Sequence, residues 1–395
     1  MNKNSKISKL LDEIHRLSDS PENKRRRSYW EDGETPVRGE AQWHGMPKES
    51  ALRSGRMPVT AECLNTVWKE VLGLKFDLYY TNPEYFLETY LKIKLRKFKE
   101  LPDDTPIDRT IPLHYGVTFE AGLLGQEVFF SADDEPWLST RPIISESTKL
   151  DGAKIDLNTN QILQCAVRFY NKVKQIVGPE FNVHFPQWFR GPQGVALYLR
   201  GFENFLTDIY LQPELCQKTL RYVTEMQKAF IAWRSEFLEE PIQKCDLFND
   251  DVPIMSPETY GEYIIPLENE LCEFCGGVYY WHSCGDITQH ISEIEKIKSI
   301  ELLDLGVSME NKEVGLNIMK RNIPVEVRVH AQLHIQEAEE AHIERYMRDI
   351  VASLVKKSTE RYVLRSSGMS MLLGAEEDLL KLRKWVEITR EVLEK

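Results

Sequence analysis

From about residue 110 onward, short runs of β-forming residues alternate with longer stretches of helical period. No other feature restricts the possible architectures as much. The runs cover residues 110–117, 181–185, 244–248, 278–281, 300–305, 325–329 and 362–364, with helical patterns at 214–238, 257–274, 335–357 and 376–393. Strands separated by helices build βαβ units and a parallel sheet. Seven runs, with room for one more, predict an α/β fold of the (β/α)8 TIM-barrel type over residues 101–395. An open doubly wound sheet is the alternative. No Gly-x-Gly-x-x-Gly follows a run, so a dinucleotide site is disfavoured. Residues 1–100 are expected to form a helical and loop extension that caps the barrel. It begins with an amphipathic helix over 7–17 and continues through a loop-rich stretch, 31–58, that carries Trp43 and His44.

Charge and composition narrow the function classes. The 50 basic and 62 acidic residues leave a net charge of −12. Such a chain repels polyphosphate, so no nucleic-acid partner is expected. The basic run Lys24-Arg25-Arg26-Arg27 reads as a solvated flank. No apolar run approaches the ~18 residues of a membrane span, so no membrane partner is expected. The N-terminal residues lack the apolar core of a signal peptide. Seven cysteines, an odd number at low density, suggest free thiols in a reducing cytoplasm.

In a barrel of this type, chemistry gathers where the strands end. The strongest signal there is Tyr280-Trp281-His282-Ser283-Cys284-Gly285-Asp286. Residues two apart on a strand share a face, so His282 and Cys284 look the same way. An imidazole and a thiol suit zinc, which takes nitrogen and sulfur ligands. A buried cysteine beside a hydrogen-bonded histidine is the plainer alternative. Cys272 and Cys275 form a Cys-x-x-Cys but sit before the strand, with ~23 Å of extended chain between Cys275 and His282. They read as helix packing. His330 is the candidate third ligand: in Val325-Glu326-Val327-Arg328-Val329-His330, one face is apolar and the other polar. Glu326 and Arg328 on that polar face form either an internal ion pair or, through Arg328, a substrate clamp. Further polar groups close other runs, and His114, Tyr115, His184, Trp188, Asp250 and Arg328 are the candidate substrate-binding residues. Asp250 is also the candidate catalytic acid or base.

Several segments carry a family resemblance. They include Ile111-Pro112-Leu113-His114-Tyr115-Gly116, Gly191-Pro192-Gln193-Gly194, Gln212-Pro213-Glu214-Leu215, Asp250-Asp251, Ser256-Pro257-Glu258, His282-Ser283-Cys284-Gly285 and Arg365-Ser366-Ser367-Gly368. From roughly residue 60 to the C-terminus the chain resembles the uroporphyrinogen decarboxylase superfamily, in particular its corrinoid-dependent methyltransferase branch. The decarboxylases carry an arginine-rich Met-Arg-Gln-Ala-Gly-Arg type motif near the N-terminus. Here the nearest segment, Arg53-Ser54-Gly55-Arg56, does not correspond to it.

In the methyltransferases a His-x-Cys pair holds zinc, matching His282 and Cys284, and a further cysteine follows a glycine on the last strand. This chain has Met369 there, and a thioether is a poor zinc ligand. Either His330 or Asp250 then completes the site, or the metal is absent. The resemblance implies an enzyme that moves a methyl group between a small methylated substrate (methyl ether or methylamine type) and the cobalt of a corrinoid. Demethylation is the favoured direction, because Met369 breaks the thiolate set of the thiol-activating branch. The Asp-x-His-x-x-Gly corrinoid signature is absent, so the corrinoid would ride on a separate, transiently docked partner protein. A tetrapyrrole carboxy-lyase and a non-catalytic ligand-binding barrel are the alternatives.

Overall fold

The protein is described by a computed structural model covering residues 3–31, 37–38, 42–48, 57–145, 150, 156–308, 312–355 and 361–395. The segment Arg53-Ser54-Gly55-Arg56 and the Trp43 side chain lie outside the described residues.

Eight strands form the barrel wall: β1 (Val59–Thr60), β2 (Thr110–Pro112), β3 (Asn182–His184), β4 (Cys245–Phe248), β5 (Val278–His282), β6 (Ile300–Asp304), β7 (Val325–Val329) and β8 (Tyr362–Ser366). Six of them pair in the order β4-β5-β6-β7-β8-β1, every neighbour parallel. A second parallel ladder joins β2 to β3, and an Arg190–Phe248 bridge ties the chain after β3 to β4. This is the TIM barrel read from the alternation, with its first strand taken from within residues 1–100.

The strands form where parallel-sheet physics favours them. A strand covered on both faces reads as a nearly continuous buried run, and all five residues of β7 and of β8 are buried. In β7 the valines are fully buried in the apolar core. Glu326 and Arg328, on the opposite face, point into the barrel and meet polar partners there. The helices follow the expected patterns with local corrections. The pattern at 257–274 divides into Pro257–Tyr263 and Ile265–Cys275. Pro266 cannot continue the first helix, because it lacks an N–H and its ring crowds the preceding turn.

β1 is two residues long and has no ladder on its second edge among the described residues. Carboxylates replace the missing strand: Asp104 Oδ2 accepts Val59 N–H at 2.9 Å and Asp103 Oδ2 accepts Ala61 N–H at 3.0 Å. Arg25 and Arg390 hold Asp104 in place, and Arg26 holds Asp103. The Arg26 guanidinium, buried in the fold, donates to Asp103 (3.2 Å), Glu22 (2.8 Å) and the carbonyls of Phe98, Leu101 and Thr105. The basic run is therefore not wholly a solvated flank: Lys24 and Arg27 are exposed, but Arg26 is a structural clamp.

The N-terminal segment covers the end where the strands begin. Trp30 donates to Asp104 O at 2.9 Å and packs on Val363 in β8, and residues 29–31 pair with 46–48. Between them His44 enters the base of the barrel, 4% exposed. The opposite end, where the strands finish, is the mouth.

Candidate metal centre

β5 delivers His282 and the turn after it delivers Cys284. The thiol Sγ lies 3.3 Å from His282 Nε2. The chain leaving β4 supplies the third group: Asp250 Oδ1 is 3.2 Å from the same Nε2 and accepts the Cys284 N–H at 2.9 Å. One ligand atom from each of the three falls within 4.8 Å of the others, and this is the only such group of three or more His, Cys, Asp or Glu among the described residues. Around a tetrahedral zinc, bonds of about 2.0–2.3 Å set neighbouring donors roughly 3.4–3.6 Å apart. The three side chains are already near that spacing and offer nitrogen, sulfur and oxygen.

A supporting layer fixes the imidazole. Its Nδ1–H donates to Asp304 Oδ2 at 2.5 Å, which turns Nε2 toward Cys284 and Asp250. Arg328 Nη1 lies 3.2 Å from that Asp304 oxygen, and Gly306 N–H donates to Oδ1 at 2.8 Å. Arg190 is 2.7 Å from Asp251 and 3.8 Å from Asp250. Behind the Asp250 turn, Asn249 and Tyr260 both donate to the buried Glu268 carboxylate. Gly306 makes the approach of two mouth loops possible. Its φ is +77°, and a Cβ there would meet the Gly285 carbonyl oxygen at 2.3 Å.

The protonation states follow from these contacts. Burial alone would lower the His282 pKa, but hydrogen bonds to Asp250, Asp304 and Cys284 override it and hold the metal-free imidazole well above its usual value. Burial opposes ionisation of Asp250, yet His282 and Arg190 hold its carboxyl well below the usual range. Asp250 is therefore a carboxylate, and a dication would take the place of a proton on His282 Nε2.

The remaining candidates are distributed differently. His330 does not join the cluster: the chain leaves β7 at Val329 and turns, and His330 Nδ1 faces the Leu333 N–H at 3.5 Å. Asp250 takes the place that strand alternation gave to His330. Arg328 is inside the barrel but engaged by Asp304, with Glu62 at 3.7 Å, while Glu326 pairs with Arg365 rather than with Arg328. His114 borders the site through a chain of rings: 5.5 Å from Phe189, which is 5.6 Å from Phe248, itself 4.7 Å from His282. Burial pushes its pKa down to about 4, so it is neutral. Tyr115 packs on Phe119 and Phe169. Trp188 donates to Arg190 O and packs near Phe230, within the core. His184 contacts Asn182 and lines a cavity of about 1320 Å³ with Lys244, Cys275 and Tyr279, at the base rather than the mouth. Cys272 and Cys275 are buried helix residues away from the cluster, as expected. Met369 is fully buried in the hydrophobic core.

The comparisons agree with this architecture. No curated protein matches the chain. Among solved structures, a methyltransferase from Methanosarcina mazei superposes with a TM-score of 0.61 at 16% identity, over 87% of this chain and 96% of that one. The likeness establishes the shared fold. The sequence matches the uroporphyrinogen decarboxylase (URO-D) family over residues 36–391. The chain belongs to the uroporphyrinogen decarboxylase (URO-D) family.

Proposed function

We propose that this protein is a zinc-assisted methyltransferase that works with a separate corrinoid protein, demethylating a small methyl ether or methylamine. The observation that carries the reading is the convergence of Asp250, His282 and Cys284 at the mouth, with Asp304 behind the imidazole. The donor set fits zinc in chemistry and in charge. A thiolate and a carboxylate together offset a dication, and the carboxylate makes up for the thiolate lost at Met369. Three protein ligands leave a fourth position for substrate, the pattern of catalytic rather than structural zinc. When bound, the ion would act as a Lewis acid on the heteroatom that carries the methyl group.

The chain's own residues do the rest. Asp304 sets the tautomer of His282, and Arg190 orients Asp250 from one side. Phe248, Phe189 and the neutral His114 form an aromatic wall beside the cluster. Such a wall favours an aryl ether by stacking or a methylated ammonium by cation–π contact. The loops and short helical turns that follow β4, β6, β7 and β8 expose Ile254, Val314, Leu333, Met371, Leu372 and Leu373. Exposed apolar groups on several loops suit a docking protein. The decarboxylase alternative lacks comparable support. An octacarboxylate substrate needs free cations, whereas Arg190, Arg328 and Arg365 are all engaged by carboxylates.

The test is methyl transfer to a reduced corrinoid protein, followed by the absorption change on methyl–cobalt formation. The reading expects transfer that is lost, together with zinc, in Cys284→Ala. Zinc-free protein that decarboxylates uroporphyrinogen would replace it with the carboxy-lyase reading. Protein inert to both but binding such ligands would replace it with a non-catalytic barrel.

A further inference from the structure

The barrel interior contains an unbroken file of buried polar side chains from base to mouth. At the base, His44 Nδ1 lies 3.3 Å from Glu326 Oε2, and its ring packs on Tyr280 with centroids 4.4 Å apart. Its backbone carbonyl accepts from Tyr279 Oη at 2.7 Å, which fixes the segment. Tyr280 Oη donates to Glu326 Oε1 at 2.7 Å and lies 3.3 Å from Asp304 Oδ2. That Asp304 oxygen accepts the His282 Nδ1–H at 2.5 Å. Beside this file, Arg365 lies 3.0 Å from Glu62 and 3.5 Å from Glu326, and Arg328 spans Glu62 and Asp304. His44, Glu62, Glu326, Arg328, Arg365, Tyr280, Asp304 and His282 are all buried.

This arrangement joins a residue of the N-terminal segment to the metal-candidate imidazole through three intermediate side chains, Glu326, Tyr280 and Asp304. Tyr280 has one hydroxyl proton and two carboxylates within reach. The Glu326 carboxylate that holds that proton is itself held by His44 and Arg365. With low dielectric around them, fully satisfied buried polar networks have one preferred arrangement, and removing a member disturbs its neighbours. We propose that His44 is a positioning residue for the mouth cluster, fixing Tyr280 and Glu326 and, through Asp304, the orientation of His282. The inference rests on the functional reading above for its metal readout, and it assigns the base-capping segment a part in tuning the site.

The test uses the full chain, with a double-mutant cycle of wild type, His44→Ala, Tyr280→Phe and the double variant at its centre. His44→Gln is the conservative rescue, because its amide can still donate to Glu326. Zinc affinity is measured by chelator competition, and the ligand field by the absorption of the cobalt(II)-substituted protein. Changes to groups that directly support a metal ligand cost 10–100-fold in affinity, so at this further remove a loss of roughly 3- to 10-fold is expected for His44→Ala. Tyr280→Phe should lose a similar amount. The double variant should lose no more than the larger single effect, and His44→Gln should recover most of the loss. Phe86→Leu, a core change that touches neither the file nor the segment carrying His44, should lower thermal stability and leave affinity unchanged. A His44→Ala protein with reduced stability but wild-type affinity and cobalt spectrum overturns the proposal, as does strict additivity in the double variant. The downfield proton resonance of His282 Nδ1–H in metal-free protein separates the two readings. Wild-type protein that binds no metal rejects the zinc reading. A resonance unmoved by His44→Ala rejects the positioning role whatever the metal does.

Discussion

Replacing Arg26 with methionine should be among the most damaging single changes on the N-terminal segment. The side chain is 3% exposed and faces Asp103, which is 0% exposed. Its N–H groups also reach the backbone carbonyls of Phe98, Leu101 and Thr105. Methionine keeps much of the volume but takes the guanidinium from the buried Asp103 carboxylate, leaving it only the field of Lys97. Breaking a buried pair from one side costs about 3–5 kcal/mol, against a total stability of about 5–15 kcal/mol for a typical domain. Asp103 in turn holds the Ala61 N–H beside β1, so the β1 edge should loosen first. Urea unfolding of Arg26→Met and of the exposed control Lys24→Met provides the assay. We expect a loss of about 3 kcal/mol or more for the first and within about 0.5 kcal/mol of wild type for the second. Hydrogen exchange should rise at Val59 and Ala61 only in the first. Equal stabilities for the two variants would refute the clamp.

Three further outcomes follow from the site's surroundings. Burial pushes the Glu268 carboxyl from 4.5 up to about 7. Below pH 4.5 both folded and unfolded chains keep this proton; between 4.5 and 7 the unfolded chain releases it first, so stability falls with rising pH by up to about 3 kcal/mol. Glu268→Gln should remove that slope in urea titrations at pH 5 and 8, and an unchanged slope would contradict it. Gly306→Ala combines positive φ with a collision against Gly285 O; a loss of at least about 2 kcal/mol is expected by thermal unfolding, together with weakened zinc retention. Asp250→Ala should lower zinc affinity at least 10-fold, while His330→Ala should leave it unchanged; the reverse ranking would restore His330 as the ligand.

The sequence made the barrel legible where burial on both faces produced continuous runs, as in β5 to β8. It also placed His282 and Cys284 on one face and sent Glu326 and Arg328 inward. β1 was not legible, because two residues have no measurable period and its edge is completed by Asp103 and Asp104, over forty residues away. His330 was misassigned because alternation was extended one residue past the strand, into a turn that redirects the side chain. Asp250 was named as a catalytic candidate and as the alternative third ligand to His330, but a loop residue has no periodicity to declare its direction, so the sequence could not choose between them. Arg26 resembles its exposed neighbours in sequence, and only packing against Phe98, Leu101 and Asp103 distinguishes it. The polar file through the barrel was hidden for the same reason: its members come from six separate segments.

Zinc K-edge absorption of the purified chain, with metal content measured on the same sample, tests the central claim most directly. The account predicts one zinc per chain, with a single sulfur neighbour at about 2.3 Å and the remaining neighbours nitrogen or oxygen at about 2.0–2.2 Å. It also predicts loss of the sulfur in Cys284→Ala. A two-sulfur shell, or protein that takes up no zinc when offered it, would contradict the assignment of Asp250, His282 and Cys284 as one metal centre.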